Sequence, residues 1–543
     1  MDIESFRKAG HEAIDAICDY YQTISTRPVM AQVEPGFLSK AIPDEAPEHG
    51  EEWSQISKDY QNIILPGMTH WQHPNFYGYF PANATFEGAL ADLYAASVTN
   101  PGFNWSVSPS NTELELITLN WMAKLFGLSD EFLTTSKSGG GIILGTASEV
   151  AITVAVAARE RALSYLESGQ VDSTSINLTE IPKSETILDP DAAIVASKEG
   201  DGQTISQLAE KATMGKSNDE IAKWRGIATS KLVMYGTTQT HSIGAKAAIV
   251  LGLNFRAIEV MAKDAYSLRG EQLQAALKED TEKGLVPFML IATVGSTSSG
   301  AIDNLTEIHT VAKQYPSLWV HVDAAWAGVA YALPEYRELG QLNSLNKFVD
   351  SFSTNMHKWG LVPFDLAPLW VRNRGALSSA LTVTPEFLRT KHGDAGSVLD
   401  LRNMQLFLGR RFRSLKVWFV LRSYGQEGFR SHLRRSISLS QQFNELVSKG
   451  SIPLQITAPP RWALTTFRLH PKREPSLTFE QLDELNREFW NLLQKKSDRL
   501  VLTQTVLPEV GFCIRLAVGS PQTRPENIQE AYQVLCECAN EIL

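Results

Sequence analysis

Between about residue 85 and residue 375 the chain alternates short apolar runs with longer stretches of helical period. The runs include KLVMYG (231–236), FMLIATVG (288–295) and LWVHVDAAW (318–326), with helical patterns such as 270–283 and 303–314 between them. Strands that are apolar along their whole length sit in sheets covered on both faces. Strands that alternate with helices form parallel sheets. The pattern therefore predicts an α/β domain built on a mostly parallel sheet. Before it, residues 1–25 read as an amphipathic helix, and Pro28, Pro35, Pro43 and Pro47 punctuate an extended stretch that wraps over a surface. A second helix, about 51–65, ends at Pro66-Gly67. After it, a helix over 411–424 leads to strands near 462–469 and 511–518 and to terminal helices, the pattern of a small α+β domain. The expected segments are 1–85, 86–410 and 411–543. Residues 170–222, rich in Ser, Thr, Asp and Lys, read as a polar surface insertion in the middle one.

Composition narrows the class. The 543 residues are 43% apolar and 20% charged, which is ordinary for a globular protein, and the length calls for more than one domain. A formal net charge of −10 argues against nucleic acid or anionic lipid as a partner. No apolar run is long enough to span a bilayer, so no membrane association is expected. The start, MDIESFRKAGHEAIDAICDYY, reads as a helix and not as a signal peptide. Four cysteines in so long a chain do not make a disulfide framework and fit a reducing compartment, the cytoplasm by default.

Chemistry enters with NMHKWG, residues 355–360, which sets Lys358 beside His357 in an otherwise apolar stretch. Desolvation lowers a lysine pKa towards the range in which the neutral amine attacks a carbonyl. Thirty-five residues earlier, Asp323 ends an apolar strand, where ligands of open α/β sheets sit. Upstream, a glycine-rich loop runs into Thr146-Ala147-Ser148-Glu149, a capping box whose free N–H groups and dipole suit a phosphate. His241 lies at a strand-to-helix turn between them. Each has a plainer use: a lysine reaching water, an aspartate capping the next helix, a histidine cap. Neither a Walker lysine pattern nor G-x-G-x-x-G is present, so a nucleotide is not expected. His70 and His73 have no third ligand nearby in sequence, so no metal is expected. Taken in order, these are the parts of a pyridoxal phosphate site, with lysine for the Schiff base, aspartate for the ring nitrogen and a helix start for the phosphate.

HVDAAWAG, NMHKWG, GTASE, THWQHPNFYGYFP, SVSPSNTELE and LGRRFRSLKVWF together resemble the group II pyridoxal-phosphate decarboxylases, specifically the aromatic-L-amino-acid decarboxylases. The resemblance covers nearly the whole chain except 170–222. It implies fold type I, the aspartate aminotransferase-like α/β fold with a seven-stranded, mostly parallel sheet. It also implies a homodimer with its active sites at the interface, and pyridoxal 5'-phosphate as cofactor. Position by position, it implies that Lys358 forms the Schiff base and Asp323 pairs with the pyridine nitrogen. Ala325 packs beneath the ring, His241 stacks above it and Thr293 lies near the ring hydroxyl. Ala147, Ser148, Asn355 and His357 hold the phosphate, with Gly409 approaching from the partner subunit. Trp71, Tyr79, Phe80 and Phe103 line the substrate pocket together with Gly409.

The chain departs from the decarboxylase pattern at one place. The family's proton-linked loop tyrosine falls twenty-nine residues after the lysine, and here that residue is Phe387 in TPEFLRTKHGDAG. No tyrosine lies between 337 and 423 to replace it, and His392 on the same loop is the alternative proton relay. In plant relatives a phenylalanine here marks aldehyde synthases, which release aldehyde, CO2, ammonia and hydrogen peroxide. Decarboxylation of L-tryptophan to tryptamine is the expected activity, with aldehyde synthesis as the alternative. Gly409, where plant relatives acting on phenolic substrates carry serine, leaves room for an indole. The aromatic-rich THWQHPNFYGYFP argues against a glutamate decarboxylase pocket.

Overall fold

The computed structural model describes residues 1–168, 217–472 and 476–543, so the first 47 residues of the 170–222 stretch lie outside the described residues. Contacts divide the chain into two units, residues 84–434 and residues 1–83 with 435–543. The first and last segments read separately from the sequence thus fall in one unit, and the middle segment extends to Arg434.

The larger unit holds a seven-stranded sheet made of β1 (Gly140–Leu144), β2 (Leu232–Thr237), β3 (Asn254–Ile258), β4 (Val286–Thr293), β5 (Trp319–Asp323), β6 (Ser351–Ser353) and β7 (Ala367–Val371). The order is β1-β7-β6-β5-β4-β2-β3. β7 runs against its neighbours β1 and β6, and every other adjacent pair is parallel. This is the fold type I α/β architecture. Every residue of β1, β2, β4, β5, β6 and β7 is buried, which explains the unbroken apolar runs, while the edge strand β3 is partly exposed. The Ala147–Ser168 helix packs across β1, β4, β5, β6 and β7, its Val150, Ala151, Val154, Ala155 and Ala158 joining Ile142, Leu144, Ile291 and Leu369 in one core. The alanines let the helix lie close to the sheet.

In the other unit four strands, β8 (Leu454–Ile456), β9 (Leu464–Leu469), β10 (Thr503–Leu507) and β11 (Gly511–Ala517), form an antiparallel sheet in the order β10-β11-β9-β8. The Phe479–Gln494 helix packs on β9 and β11 and against the Pro525–Asn540 helix. Ile3–Thr23 is the expected N-terminal helix, capped by Asp2, whose carboxylate accepts the Ser5 N–H at 2.7 Å.

Two helical expectations change. The predicted 51–65 helix is α-helical only over Trp53–Asp59. It then widens into a π turn (Tyr60–Ile64) and tightens into a 3-10 turn (Leu65–Gly67), because Pro66 offers no N–H to continue an α ladder. The predicted 411–424 helix begins at Ser414 and stops helical geometry at Gly425 (φ 62°), but then resumes to Lys449. A glycine of positive φ marks an end in sequence, and here it marks an interruption.

Candidate active site

Six of the seven strands in the large sheet point the same way, and the candidate cofactor residues follow their carboxyl ends. Ala147 and Ser148 come after β1, His241 after β2 and Thr293 ends β4. Asp323 ends β5, and Asn355, His357 and Lys358 come after β6. Residues drawn from across the sequence therefore gather along one edge of one sheet.

The helix start after β1 has the geometry that suits an anion. Glu149 turns back to accept the Gly145 N–H at 2.9 Å, and the Glu149 N–H reaches Thr146 Oγ1 at 3.4 Å. The predicted capping box is thus offset by one residue. The first-turn N–H groups of a helix have no partner within it and point out along the axis. A Cβ at Gly145 would meet Asp365 Oδ2 at 2.7 Å, so glycine lets this turn sit against the Asp365–Arg413 ion pair (2.8 Å).

Asp323 is buried. Its register partners are Thr293 on β4 and Ser353 on β6, and its Oδ1 accepts the Ala325 N–H at 2.9 Å. The Ala325 carbonyl accepts the Asn355 N–H at 3.0 Å, tying the turn after β5 to the one that carries the lysine. Lys358 sits on a short helix, Met356–Trp359, and is half-buried between buried His357 and Trp359. Trp359 stacks on Trp326 at 4.9 Å and 7°, which fixes that helix from below.

Electrostatics tie three of these residues together. Burial lowers the His241 pKa, the Lys358 charge lowers it further, and the Asp323 charge opposes both. His241 Nδ1 accepts the Ile243 N–H at 3.3 Å, so in the neutral ring the proton is on Nε2. His241 as a whole residue remains exposed. His357 is buried, and burial followed by the Lys358 charge pushes its pKa down to about 4. Its Nδ1 accepts the Leu366 N–H at 2.9 Å, leaving Nε2–H as a donor.

Among the described residues, Thr293 Oγ1 and Asn355 Oδ1 are buried polar atoms here without a hydrogen-bond partner, as are Thr354 Oγ1 and Trp359 Nε1. An unpaired buried polar atom is costly unless a ligand completes it. The positions of Thr293 and Asn355, on either side of Asp323 and next to Lys358, fit a polar ring with a phosphate. The residues present therefore fit pyridoxal phosphate.

The remaining candidates have other settings. Phe387 is 80% exposed on the Glu386–Leu388 turn. His392 packs edge-on against Trp105 at 4.9 Å and 67°, and its loop is fastened by Arg402 Nη2 to the Leu388 carbonyl (3.1 Å). Gly409 is exposed, its carbonyl held by Gln405 Nε2 at 3.3 Å. Phe103 is half-buried on a loop tied to it by the Arg410 N–H and the Pro101 carbonyl (2.6 Å). Trp71, Tyr79 and Phe80 belong to the other unit. There Trp71 stacks on Tyr79 at 5.6 Å and 18°, and Phe80 lies under the Arg515 guanidinium at 5.0 Å. His70 Nδ1 is 3.0 Å from the Tyr20 hydroxyl, and His73 Nδ1 accepts the Asn75 N–H at 3.0 Å.

Sequence reasoning missed His321. Strand alternation in WVHVD puts residues 321 and 323 on one face, but the hydroxyls that meet His321 lie on the neighbouring strand.

The family model described as the pyridoxal-dependent decarboxylase conserved domain matches residues 35–187 and 176–470. Phenylacetaldehyde synthase of Arabidopsis thaliana is 37% identical over 546 residues, covering 100% of this chain and 97% of that protein. Tryptophan decarboxylase 2 of Oryza sativa subsp. japonica is 36% identical, covering 100% and 96%. Among solved structures, Oryza sativa TDC with PLP and tryptamine superposes with a TM-score of 0.84 at 31% identity, covering 100% of this chain and 99% of that one. Rhodiola rosea 4-hydroxyphenylacetaldehyde synthase superposes at 0.80 and 30%, with coverage of 100% and 99%.

Proposed function

The chain belongs to the group II pyridoxal-dependent decarboxylases, a PLP-dependent carboxy-lyase, and from that premise we propose that it decarboxylates aromatic L-amino acids, L-tryptophan first, to the amine. The observation that carries this reading is the convergence of Lys358, Asp323 and His241, the charges of the first two both acting on the third. Bound pyridoxal phosphate supplies the electron sink for a bond broken at the substrate α-carbon. In this reading Lys358 holds the cofactor covalently and Asp323 keeps a negative charge at its ring nitrogen. His241 covers the ring face, and Ala325 packs against the opposite one. Thr293 Oγ1 completes its hydrogen bond on it, while the N–H groups of Ala147 and Ser148, the Asn355 side-chain NH2 and His357 Nε2–H take the phosphate. Fixed charge and orientation are what the chain contributes. The proton returned to the α-carbon comes through His392, the relay proposed in place of the loop tyrosine, or from Lys358 Nζ or His241 Nε2.

Room for an indole is supported at Gly409, where a Cβ would meet nothing within 4 Å. Phe103 is the proposed aromatic wall on the same unit. A homodimer is supported by the Phe86–Val98 helix, which exposes Phe86, Leu90, Leu93, Tyr94 and Val98 in a chain that also exposes Phe407 and Leu408. Four free cysteines favour a reducing, cytoplasmic setting.

Phe387 supports a second reading. Without a loop hydroxyl, the substrate carbon can react with oxygen, and amino acid, O2 and water then give aldehyde, CO2, ammonia and hydrogen peroxide. The test is incubation of PLP-loaded enzyme with L-tryptophan in air, measuring tryptamine, indole-3-acetaldehyde and peroxide together. Tryptamine without peroxide upholds the first reading. Aldehyde and peroxide in step with CO2 uphold the second, and Phe387→Tyr then restores the amine. Absence of all three products sinks the tryptophan assignment, and tyrosine and phenylalanine are assayed next.

A further inference from the structure

Beneath Asp323 lies a buried polar chain that uses no charged partner. Trp319 Nε1–H donates to Ser351 Oγ at 2.8 Å, Ser351 Oγ lies 2.8 Å from His321 Nδ1, and His321 Nε2 lies 3.3 Å from Ser353 Oγ. Trp319, His321, Ser351 and Ser353 are each no more than 1% exposed. Register pairs His321 with Ser351 and Asp323 with Ser353 on adjacent parallel strands, so these side chains share one face of the sheet. Because the indole only donates, it occupies one Ser351 lone pair, and the Ser351 O–H is free to turn to His321 Nδ1. In that arrangement the imidazole carries its proton on Nε2, directed to Ser353 on the side of Asp323.

We propose that His321 is a positioning residue: its imidazole, held between two serine hydroxyls, fixes Ser353, the register partner of Asp323, and so orients the Asp323 carboxylate towards the cofactor's ring nitrogen. This deepens the site assignment above and rests on Asp323 facing that nitrogen. A charged imidazole two residues before Asp323, on the same face, would compete with the pyridinium for the one carboxylate. A neutral ring satisfied on both nitrogens does not. Burial favours that neutral state, with Asp323 opposing it. From the helix packed over β5, Arg161 lies over the Trp319 ring at 4.5 Å, and its charge is already paired with Asp350 at 2.6 Å.

The test compares His321→Leu, His321→Gln, Ser353→Ala and Asp323→Asn in the full-length protein. The readouts are the PLP dissociation constant, the pH midpoint of the bound cofactor's visible absorption, and thermal stability. The Leu variant is expected to weaken PLP binding about tenfold, the scale of one charge-assisted hydrogen bond. It should also raise the midpoint, since a less protonated ring holds the proton of the lysine–cofactor linkage more tightly. His321→Gln, which can serve both hydroxyls without charge, is expected to restore both values. Ser353→Ala is expected to move them in the Leu direction, which keeps the test decisive if His321→Leu fails to fold. Lower stability with unchanged binding and midpoint in the Leu or Ala variant would reduce His321 to a packing residue and overturn the proposal. If Asp323→Asn leaves the midpoint in place, the assignment of Asp323 falls and takes the proposal with it. A shift with Asp323→Asn but none with His321→Leu overturns the proposal alone.

Discussion

Thr293 is clasped by Asp303: Asp303 Oδ2 accepts the Thr293 N–H at 2.7 Å, and the Asp303 N–H donates to the Thr293 carbonyl at 2.9 Å. The other carboxylate oxygen of Asp303 takes the Leu268 N–H at 2.8 Å. The end of β4 is thereby fixed beside Asp323, yet the hydroxyl of Thr293 itself has no partner among the described residues. A backbone held on both sides and a buried hydroxyl that none of them holds is an arrangement that favours ligand binding over stability of the empty protein.

Thr293→Val tests this directly. The change removes an unpaired buried hydroxyl and keeps the side-chain shape, so the cofactor-free protein should gain about 1 kcal/mol. PLP affinity should fall about tenfold over the same change. Thermal unfolding without cofactor and a PLP titration measure the two halves. A variant less stable when empty would mean that the hydroxyl already has a partner in the cofactor-free protein.

The acid limb of stability has a definite sign. His321 and His357 have folded pKa values of about 4, below the usual 6.5, because burial excludes the charged ring. Their contribution is complete above pH 6.5 and is lost as pH falls towards 4, on the order of 3 kcal/mol each. Asp303 runs the other way: burial raises its pKa to about 6, so folding gains stability as pH falls from 6 towards 3.8. Two losses of similar size outweigh one gain. Urea unfolding of the cofactor-free enzyme should therefore show a lower midpoint at pH 4.5 than at pH 7. A midpoint that holds steady or rises would remove the neutral burial of these histidines.

Much of this site was legible because catalytic residues of an open α/β sheet sit where strands end, and strand ends are visible as apolar runs. KLVMYG, FMLIATVG and LWVHVDAAW correspond to β2, β4 and β5, and Asp323 and His241 follow from them. β6, only Ser351–Ser353, was harder to read, since three small or aromatic residues carry no periodicity. His321 was hidden for a different reason. Its importance comes from serines thirty residues away that pairing brings beside it, and one strand's pattern cannot reveal its neighbour's hydroxyls. The helix beyond Gly425 was lost because a glycine read as a stop can also be an interruption between two well-packed turns.

Gly409→Ser probes substrate choice without a folding penalty to confuse it. A Cβ at 409 meets nothing within 4 Å, so serine fits this chain as it stands. Any loss of tryptophan turnover would then reflect the pocket. The ratio of kcat/KM for tyrosine to that for tryptophan should rise about tenfold or more, the scale of a change of one or two heavy atoms against a ring. Parallel assays on both substrates check it, and an unchanged ratio would remove Gly409 from the pocket.

The loops that carry Gly409 and Phe103 depend on a buried ion pair. Arg410 Nη2 meets Glu115 Oε1 at 2.5 Å, with side chains 2% and 0% exposed, and the same oxygen accepts the Ile143 N–H of β1 at 2.7 Å. Arg410 also donates to Gln405 Oε1, and Gln405 in turn holds the carbonyls of Phe407 and Gly409. Taking away one member leaves a charge in a dry interior, so Glu115→Ala should cost about 3–5 kcal/mol. Replacing both, Glu115→Leu with Arg410→Met, leaves no buried charge and should recover most of that loss. The double variant separates stability from function: urea unfolding should return towards wild type, while KM for tryptophan stays raised because Gln405 has lost its anchor. If KM returns together with stability, the pair supports the fold alone, and the position of Gly409 is set by the backbone bond between Arg410 and Pro101.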